Sequence, residues 1–195
     1  SGLVLLIGIT FINKFYKFSA VDLPKTVQDF VVMSYNVRLF NLFGWLPDTD
    51  VVTYIRTFIN DKNPDILCIQ EYSAAAQIDL KVYPHRYIFM QGNKIKTGLA
   101  IFSKFPIIDE GQLTFPKSNN SVIFADIKKG KDIIRVYNMQ LQSIKISPDV
   151  NEISENIDEI NQQKSQLVFN RISIAFRKQQ QQAEIIMNHK NQCDF

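Results

Sequence analysis

An apolar run that ends in a carboxylate constrains the fold of this chain more than any other feature: residues 65–71 read Asp-Ile-Leu-Cys-Ile-Gln-Glu. Asp65 follows Pro64, and a proline at this point marks a turn into extended structure. The run from Ile66 to Ile69 is too short for a helix and predicts a buried strand. Glu71 closes the strand where water is expected to be scarce, so its carboxylate must find a cation or destabilise the fold. Magnesium is the obvious cation, because it takes carboxylate oxygens and keeps most of its waters.

A second apolar run lies upstream, where residues 30–38 read Phe-Val-Val-Met-Ser-Tyr-Asn-Val-Arg. Between the two runs, residues 50–63 carry apolar side chains at helical spacing. The pattern predicts a strand, a helix and a strand, with Asn36 and Glu71 near the carboxyl ends of their strands. Open α/β sheets usually carry their chemistry at that edge.

Four segments of the chain, taken together, point to one family. They are Ser-Tyr-Asn-Val-Arg at 34–38, Asp-Ile-Leu-Cys-Ile-Gln-Glu at 65–71, Gly-Leu-Ala-Ile-Phe-Ser-Lys-Phe-Pro-Ile at 98–107 and Ile-Arg-Val-Tyr-Asn-Met-Gln-Leu-Gln-Ser at 134–143. In this order they resemble the motifs of the endonuclease/exonuclease/phosphatase superfamily, which includes pancreatic deoxyribonuclease, abasic-site endonucleases, inositol-phosphate phosphatases and bacterial sphingomyelinases. One such motif alone is a weak signal, and four in order are a specific one. The resemblance implies an α/β fold: a two-sheet α/β sandwich of the deoxyribonuclease-like type with helices outside.

The resemblance also implies roles for four polar residues. Asn36, Glu71, Asn138 and Gln140 are the candidate catalytic residues, and Glu71 and Asn36 are the candidate ligands of one Mg²⁺ or Mn²⁺ ion. The ion would polarise the phosphoryl oxygen or stabilise the leaving group, while Asn138 and Gln140 hold the phosphate. Both amides are expected on one face of a strand over 132–143, together with a solvent-facing Gln142. Asn36, Glu71 and Gln140 are expected at the same edge of one sheet, close enough to share a cation or a phosphate.

Two departures from the family pattern bear on activity. The family's third strand normally reads Asn-x-His-Leu, whereas this chain has Gln140, which donates a hydrogen bond but cannot exchange a proton near neutral pH. The family then continues with Gly-Asp-x-Asn and with a Ser-Asp-His motif that supplies the general base. Residues 193–195 read Cys-Asp-Phe. They are either a clipped start of the Gly-Asp-x-Asn motif, or the chain ends one strand before that motif. We therefore expect residues 30–195 to be a C-terminally truncated family domain with an incomplete catalytic set.

Two functions agree with these residues. The first is a divalent-metal-dependent phosphoester or phosphodiester hydrolase domain acting on a nucleic acid, a phospholipid or an inositol phosphate. The alternative is an inactive truncated or decayed copy that serves as a phosphate-binding or structural module. The 22 Lys and Arg residues against 19 Asp and Glu give a net charge of +3, which argues mildly against DNA. No protein partner is implied.

The first 29 residues differ from the rest of the chain. A ten-residue apolar run at 3–12 is followed by lysines and aromatic residues at 14–18. A membrane span needs about 20 apolar residues, but the run resembles the tail of a membrane helix that meets its interface. We expect 1–18 to be the end of a membrane helix, as in related bacterial proteins, and 19–29 to be a linker. The alternatives for 1–18 are a helix packed on the domain surface and part of a signal peptide. The expected location is membrane-associated on an unassigned side, with the cytoplasm as the alternative.

The remaining segments predict ordinary elements. They are a strand over 83–91, a hairpin turn at 91–98, strands over 121–129 and 132–143, and a long amphipathic helix over 164–190 that follows an acidic stretch with helical spacing at 149–163. Asp48 or Asp50 is the predicted N-cap of the helix at 50–63. Cys68 is expected to be a small buried apolar residue, and the two histidines, His85 and His189, are expected to have surface or structural roles.

Overall fold

The computed structural model describes residues 26, 29–47, 49–93, 95–116, 118, 120–143 and 160–192. Four predicted features lie wholly or mostly outside the described residues. They are the membrane-helix end at 1–18, the linker at 19–29, the helical spacing at 149–159 and the motif fragment at 193–195.

Two sheets, two α-helices and two short 3-10 helices, at Arg38–Asn41 and Ala74–Ala76, make up the described fold. The strands are β1 (Val32–Asn36), β2 (Ile66–Tyr72), β3 (His85–Gln91), β4 (Thr97–Ser103), β5 (Ile107–Thr114), β6 (Ser121–Lys129) and β7 (Asp132–Met139), and the helices are α1 (Val51–Lys62) and α2 (Ile160–Asn191). The first sheet has the order β1-β2-β4-β3, and the second has the order β5-β6-β7. Only β1 and β2 pair in parallel among these strands. The arrangement confirms the predicted two-sheet α/β sandwich.

Strand β2 is buried on both faces, which explains its unbroken apolar sequence. Leu67 and Ile69 pack in one cluster with α1, while Ile66 and Cys68 pack in a second cluster with β4 and β6. The second cluster is the core between the two sheets. Cys68 is buried as expected, and its burial raises the pKa of its thiol to about 12.

Helix α1 returns the chain from β1 to its parallel neighbour β2. Asp50 is its N-cap, since the carboxylate accepts a hydrogen bond from the Thr53 backbone N–H at 3.1 Å. Ile55 and Ile59 bury the inner face of the helix against the first sheet. Because β1 and β2 run parallel, both carboxyl ends lie at one edge of that sheet.

Helix α2 covers the second sheet and confirms the helix predicted over 164–190. Ile186 packs against Val122 of β6, and His189 Nδ1 is 2.8 Å from the Tyr137 hydroxyl of β7. The described fold therefore has four layers: α1, the first sheet, the second sheet and α2. Neither helix of the described residues is long and apolar enough to cross a membrane.

The structure corrects one predicted strand boundary and divides one motif segment. The strand predicted over 132–143 ends at Met139, because its partner β6 begins at Ser121 and leaves the residues beyond without a strand to pair with. The apolar segment over 98–107 does not form one strand. Strand β4 ends at Ser103, and the next residue, Lys104, donates its backbone N–H to the Asp65 carbonyl. The residues after that turn begin β5, a strand that the sequence analysis did not predict.

Candidate functional site

The carboxyl ends of β1 and β2 carry the two residues at the centre of the site. Glu71 lies where the β2 register shifts between Gln70 and Tyr72, and its φ of 53° is in the left-handed region. A bulge of this kind re-aims a side chain and often lies next to an active site. Asn36 Nδ2 donates to Glu71 Oε1 at 3.0 Å, and Gln140 Nε2 donates to the same oxygen at 3.3 Å. The structure thus brings together three of the four predicted site residues.

The two amides leave half of the Glu71 carboxylate open. In the described part of the chain, hydrogen bonds reach Oε1 but not Oε2. A carboxylate has about four lone-pair sites, so Oε2 can accept a cation or a donor while Oε1 stays fixed. The pair of amides therefore orients Glu71 without neutralising it.

Two expectations about Glu71 were wrong in detail. Gln140 does not belong to the same sheet, since it follows β7 of the second sheet and reaches Glu71 across the sandwich. Water is also not excluded, because Glu71 is half-buried rather than buried. The site is an open edge where the two sheets meet.

Asn36 stands at the start of a strained turn. Its Oδ1 accepts from Arg38 N–H at 2.9 Å, which fixes the amide for its bond to Glu71. The four residues from Arg38 to Asn41, which follow Val37, all have positive φ, from 45° to 63°. Left-handed backbone at non-glycine residues costs about 1–3 kcal/mol each and clusters at active sites and ligand clamps. Leu39 of this turn lines the cavity described below.

Asn138 does not line that cavity. It is 1% exposed, and its Nδ2 donates to the carbonyls of Ile69 and Ala100 at 2.8 and 2.9 Å. Its Oδ1 accepts from Gln70 Nε2 at 2.6 Å. Asn138 therefore ties the second sheet to the first beneath the site, which corrects the expectation that it contacts the phosphate. Gln70, which the sequence analysis did not single out, is its partner.

Gln142 is also placed differently from its prediction. It lies beyond the end of β7, so it shares no strand face with Asn138. Its backbone N–H donates to Gln182 Oε1 at 2.9 Å, and its carbonyl accepts from Gln179 Nε2 at 2.6 Å. The residue is half-buried and attached to α2, rather than facing solvent at a sheet edge.

A cavity of about 760 Å³ opens beside Glu71. It is lined by Leu39, Glu71, Gln91, Gly92, Asn93, Ile95, Thr97, Gly98, Leu99, Asn120 and Gln140. Among the lining residues that the structure describes, Glu71 is the one charged residue, and four of the others are side-chain amides. A phosphate group entering the cavity meets neutral donors and one negative charge, which repels it unless a cation lies between them. Sequence reasoning missed several residues that line the cavity, mainly Gln91 and Asn120. Both lie at or beside the end of a strand and belong to no recognised motif.

The residues present fit magnesium better than a metal that needs a full protein cage. Among the described residues, no group of three or more His, Cys, Asp or Glu side chains could hold a metal ion together. Magnesium is usually bound through one or two carboxylates and the phosphates of its substrate, and it keeps several waters. The open oxygen of Glu71, with the Asn36 amide beside it, meets that requirement.

Comparison with known proteins identifies a family whose sequence profile matches this chain. The sequence profile of the Endonuclease/Exonuclease/phosphatase family matches residues 33–142, more than half of the chain. None of the curated proteins matches the chain in sequence.

Several solved structures have a similar fold. The endonuclease/exonuclease/phosphatase from Beutenbergia cavernae DSM 12333 is 15% identical with a TM-score of 0.50, and the match covers 63% of this chain and 40% of that one. Truncated TDP2 from Caenorhabditis elegans is 20% identical with a TM-score of 0.48, over 58% of this chain and 47% of that one. ANGEL2, a 2',3'-cyclic phosphatase, is 20% identical with a TM-score of 0.48, over 57% and 40%. The matched part of this chain spans less than half the length of each.

Proposed function

Because this chain belongs to the Endonuclease/Exonuclease/phosphatase family, we propose that it is a phosphoester hydrolase domain whose site is the cavity beside Glu71. The observation that supports this proposal most strongly is the hydrogen bonding of the Glu71 carboxylate. Two amides from different sheets fix one carboxylate oxygen and leave the other open towards a cavity of neutral donors. Because the amides occupy one oxygen only, the other oxygen keeps its lone pairs available to a cation.

The proposed roles follow from the contacts. Glu71, oriented by Asn36, would hold Mg²⁺ or Mn²⁺, which would supply charge stabilisation to a phosphoryl oxygen or a leaving group. Gln140 donates to Glu71 from the opposite sheet and lies in the cavity wall, where its amide can also hold a phosphate oxygen. Asn138 keeps the two sheets in register below them. The proposed substrate is a phosphoester of a nucleic acid, a phospholipid or an inositol phosphate.

A second candidate function is a phosphate-binding module without turnover. One observation favours it: Gln140 occupies the position of the family's usual histidine, and no histidine lines the cavity in the described part of the chain. A glutamine can hold a phosphate oxygen but cannot deliver a proton. Both candidates share the same binding site and differ only in catalysis.

Manganese binding tests the site itself. Mn²⁺ titrated into the full chain, with and without inorganic phosphate, reports free ion directly by electron paramagnetic resonance. We expect weak binding by the wild type and at least a tenfold loss in Glu71→Gln, which keeps the shape of the side chain but removes its charge. Glu110→Gln on β5 is the matched control and should bind as the wild type does. Equal Mn²⁺ binding by the wild type and Glu71→Gln would exclude the proposed site.

The membrane proposal rests on the sequence of residues 1–18 alone. If this segment is the end of a membrane helix, the full chain should float with phospholipid vesicles in a density gradient, and a chain starting at residue 19 should not. Flotation of both, or of neither, contradicts the proposal. A membrane attachment would favour a lipid or envelope-facing substrate.

A further inference from the structure

A short loop beside the cavity exposes four large apolar side chains. They are between 43% and 57% exposed, and they belong to Leu42, Phe43, Trp45 and Leu46. The loop begins three residues after Leu39, which lines the cavity. Single apolar residues on a surface are ordinary, but a cluster of them marks a contact with another molecule. These four residues form the apolar loop.

The apolar loop is fixed in this exposed conformation. The Asn41 side chain donates to the Leu46 carbonyl at 2.8 Å and accepts from the Leu46 N–H at 3.0 Å, which closes the loop at its base. The Trp45 and Phe43 rings meet edge to face with their centroids 5.1 Å apart, and the Arg38 guanidinium lies 4.8 Å from the Trp45 ring. These contacts hold the apolar side chains in place at the surface, so binding a partner needs little further ordering.

The second turn that borders the cavity has the same combination of side chains. Ile95 lines the cavity and is 43% exposed, and the next residue, Lys96, is exposed as well. Residues 38–47 and 91–97 together contain Arg38 and two lysines but no Asp or Glu. Two separate segments of the chain therefore border one cavity with exposed apolar side chains next to positive charges.

This combination fits a lipid bilayer better than a protein surface. Tryptophan and other large apolar side chains enter the boundary between headgroups and acyl chains, and neighbouring Lys and Arg side chains are attracted to the lipid phosphates. A stable protein interface needs about 20–30 residues on each side, whereas these two segments expose five large apolar residues: Leu42, Phe43, Trp45, Leu46 and Ile95. Shallow insertion into a bilayer needs no larger surface.

We propose that the apolar loop and the turn at Ile95 dock on a phospholipid bilayer, so that the cavity beside Glu71 opens towards the headgroups and receives the phosphoester of a membrane phospholipid. The inference rests on the proposed function, since it selects one substrate class for the same site. The docking is weak and reversible, because five shallow side chains bind far less strongly than a membrane-spanning helix. It is therefore measured at equilibrium, because a weakly docked chain dissociates during flotation.

Trp45 is the one tryptophan of the sequence, so its fluorescence reports the position of the apolar loop directly. The full chain is titrated with vesicles of phosphatidylcholine and phosphatidylglycerol whose acyl chains carry bromine near the headgroup, and with the same vesicles without bromine. We expect the Trp45 emission to shift to the blue with both and to be quenched only by the brominated lipid. Emission that no vesicle changes overturns the inference and leaves the proposed function standing. A blue shift that grows with protein concentration in the absence of lipid would mean that a second copy of the chain covers the loop, which also overturns it.

Two matched double variants show whether the loop itself makes the contact. Leu42→Thr with Leu46→Thr removes side chains that are 44% and 57% exposed and leaves the Trp45 ring contacts in place. Ile108→Thr with Ile133→Thr removes side chains that are 51% and 41% exposed, at the ends of β5 and β7 that lie away from the cavity. We expect the loop variant to need about tenfold more lipid for half-maximal quenching and the control to behave as the wild type does. Equal lipid requirements in the two variants contradict docking through the loop.

The lipid substrate is tested through the metal. With phosphatidylcholine vesicles the full chain should bind Mn²⁺ severalfold more tightly than without them, because a headgroup phosphate in the cavity adds oxygen ligands to the ion that Glu71 holds. Glycerophosphocholine, the same headgroup without acyl chains, should have a smaller effect at equal concentration, and equal effects overturn the choice of a phospholipid. Glu71→Gln should lose Mn²⁺ binding but keep the quenching of Trp45. A wild type that docks on vesicles and binds no Mn²⁺ overturns the proposed function instead.

Discussion

Glu71 and Asn36 show what a single residue position can and cannot reveal in a sequence. Their residue types and their places at the ends of two apolar runs predict a carboxylate and an amide at one sheet edge. In the structure, Asn36 Nδ2 lies 3.0 Å from Glu71 Oε1. The left-handed φ of Glu71 is not readable from the sequence, because glutamate rarely adopts it. That backbone conformation depends on the pairing of β2 with β4, which is a tertiary property.

Asp65 permits a sharp test of electrostatics at the other end of β2. Its carboxylate accepts from Val31 N–H at 2.9 Å and from Lys104 Nζ at 3.2 Å. Partial burial raises the pKa of Asp65, but these two partners outweigh it, so the net pKa lies below its usual value. A depressed folded-state pKa stabilises the fold above the unfolded-state pKa, and the benefit is lost as the pH falls through the folded-state pKa.

We expect Asp65→Asn to lower the free energy of unfolding by about 1–2 kcal/mol at pH 7, as for hydrogen bonds to a charged group. The difference from the wild type should start to shrink as the pH falls below about 4, where an unfolded-state aspartate takes up its proton, and it should vanish once the pH is also below the lowered folded-state pKa. Urea denaturation at a series of pH values measures this. Asp61→Asn is the control, since Asp61 is 73% exposed and should show little difference at any pH. A deficit in Asp65→Asn that stays constant down to pH 2 would contradict the electrostatic explanation.

At the scale of elements, the hairpin of β3 and β4 depends on one glycine. Gly98 faces Met90 across the pair, and a Cβ added to Gly98 would lie 1.9 Å from the Phe89 carbonyl oxygen. The obstacle is backbone, so it cannot move aside without breaking the pairing. We expect Gly98→Ala to destabilise the protein by about 3 kcal/mol, the upper range for overpacking. Gly130→Ala in the β6–β7 turn is the control, because its φ of 64° carries strain but its surroundings are open. Its loss should be about 1 kcal/mol. Chemical denaturation compares the two, and equal losses would show that steric overlap does not govern Gly98.

Most elements follow from sequence patterns, and the exceptions have physical causes. The β1–α1–β2 unit is confirmed because its apolar spacing is regular. Helix α2 is confirmed as a helix, but Phe169, Ile174 and Phe176 are exposed on it, so its apolar residues do not form one buried face. Strand β5 was missed because Asp109, Glu110 and Gly111 interrupt its apolar pattern, as an exposed edge strand allows. The site was predictable only where a motif covers it. Asn120 lies between β5 and β6, outside every motif, and packing alone brings it to the cavity.

At the scale of the whole molecule, the cavity depends on the meeting of two sheets. Neither sheet alone makes the site, since Glu71 comes from one and Gln140 from the other. The buried amide of Asn138 fixes their relative position. The fold class was therefore predictable from motif order, whereas the distances across the sandwich required the structure. The choice between hydrolase and binding module depends on a further group, a general base, which neither Gln140 nor Glu71 can supply in its proposed role.

The final prediction concerns turnover by the 195-residue chain. General-base activation typically contributes about 10²–10⁴-fold, and no Ser-Asp-His motif occurs in this sequence. We expect little or no magnesium-dependent hydrolysis of bis(p-nitrophenyl) phosphate, followed by nitrophenolate absorbance, although the weak metal binding that depends on Glu71 persists. Gln140→His should not restore turnover, because a histidine at that position assists the phosphate rather than activating water. A longer chain that carries Gly-Asp-x-Asn and Ser-Asp-His should hydrolyse the substrate and lose that activity in Glu71→Ala. Substantial cleavage by the 195-residue chain itself, lost in Glu71→Ala, would mean that another residue acts as the base and that the binding-module alternative is wrong.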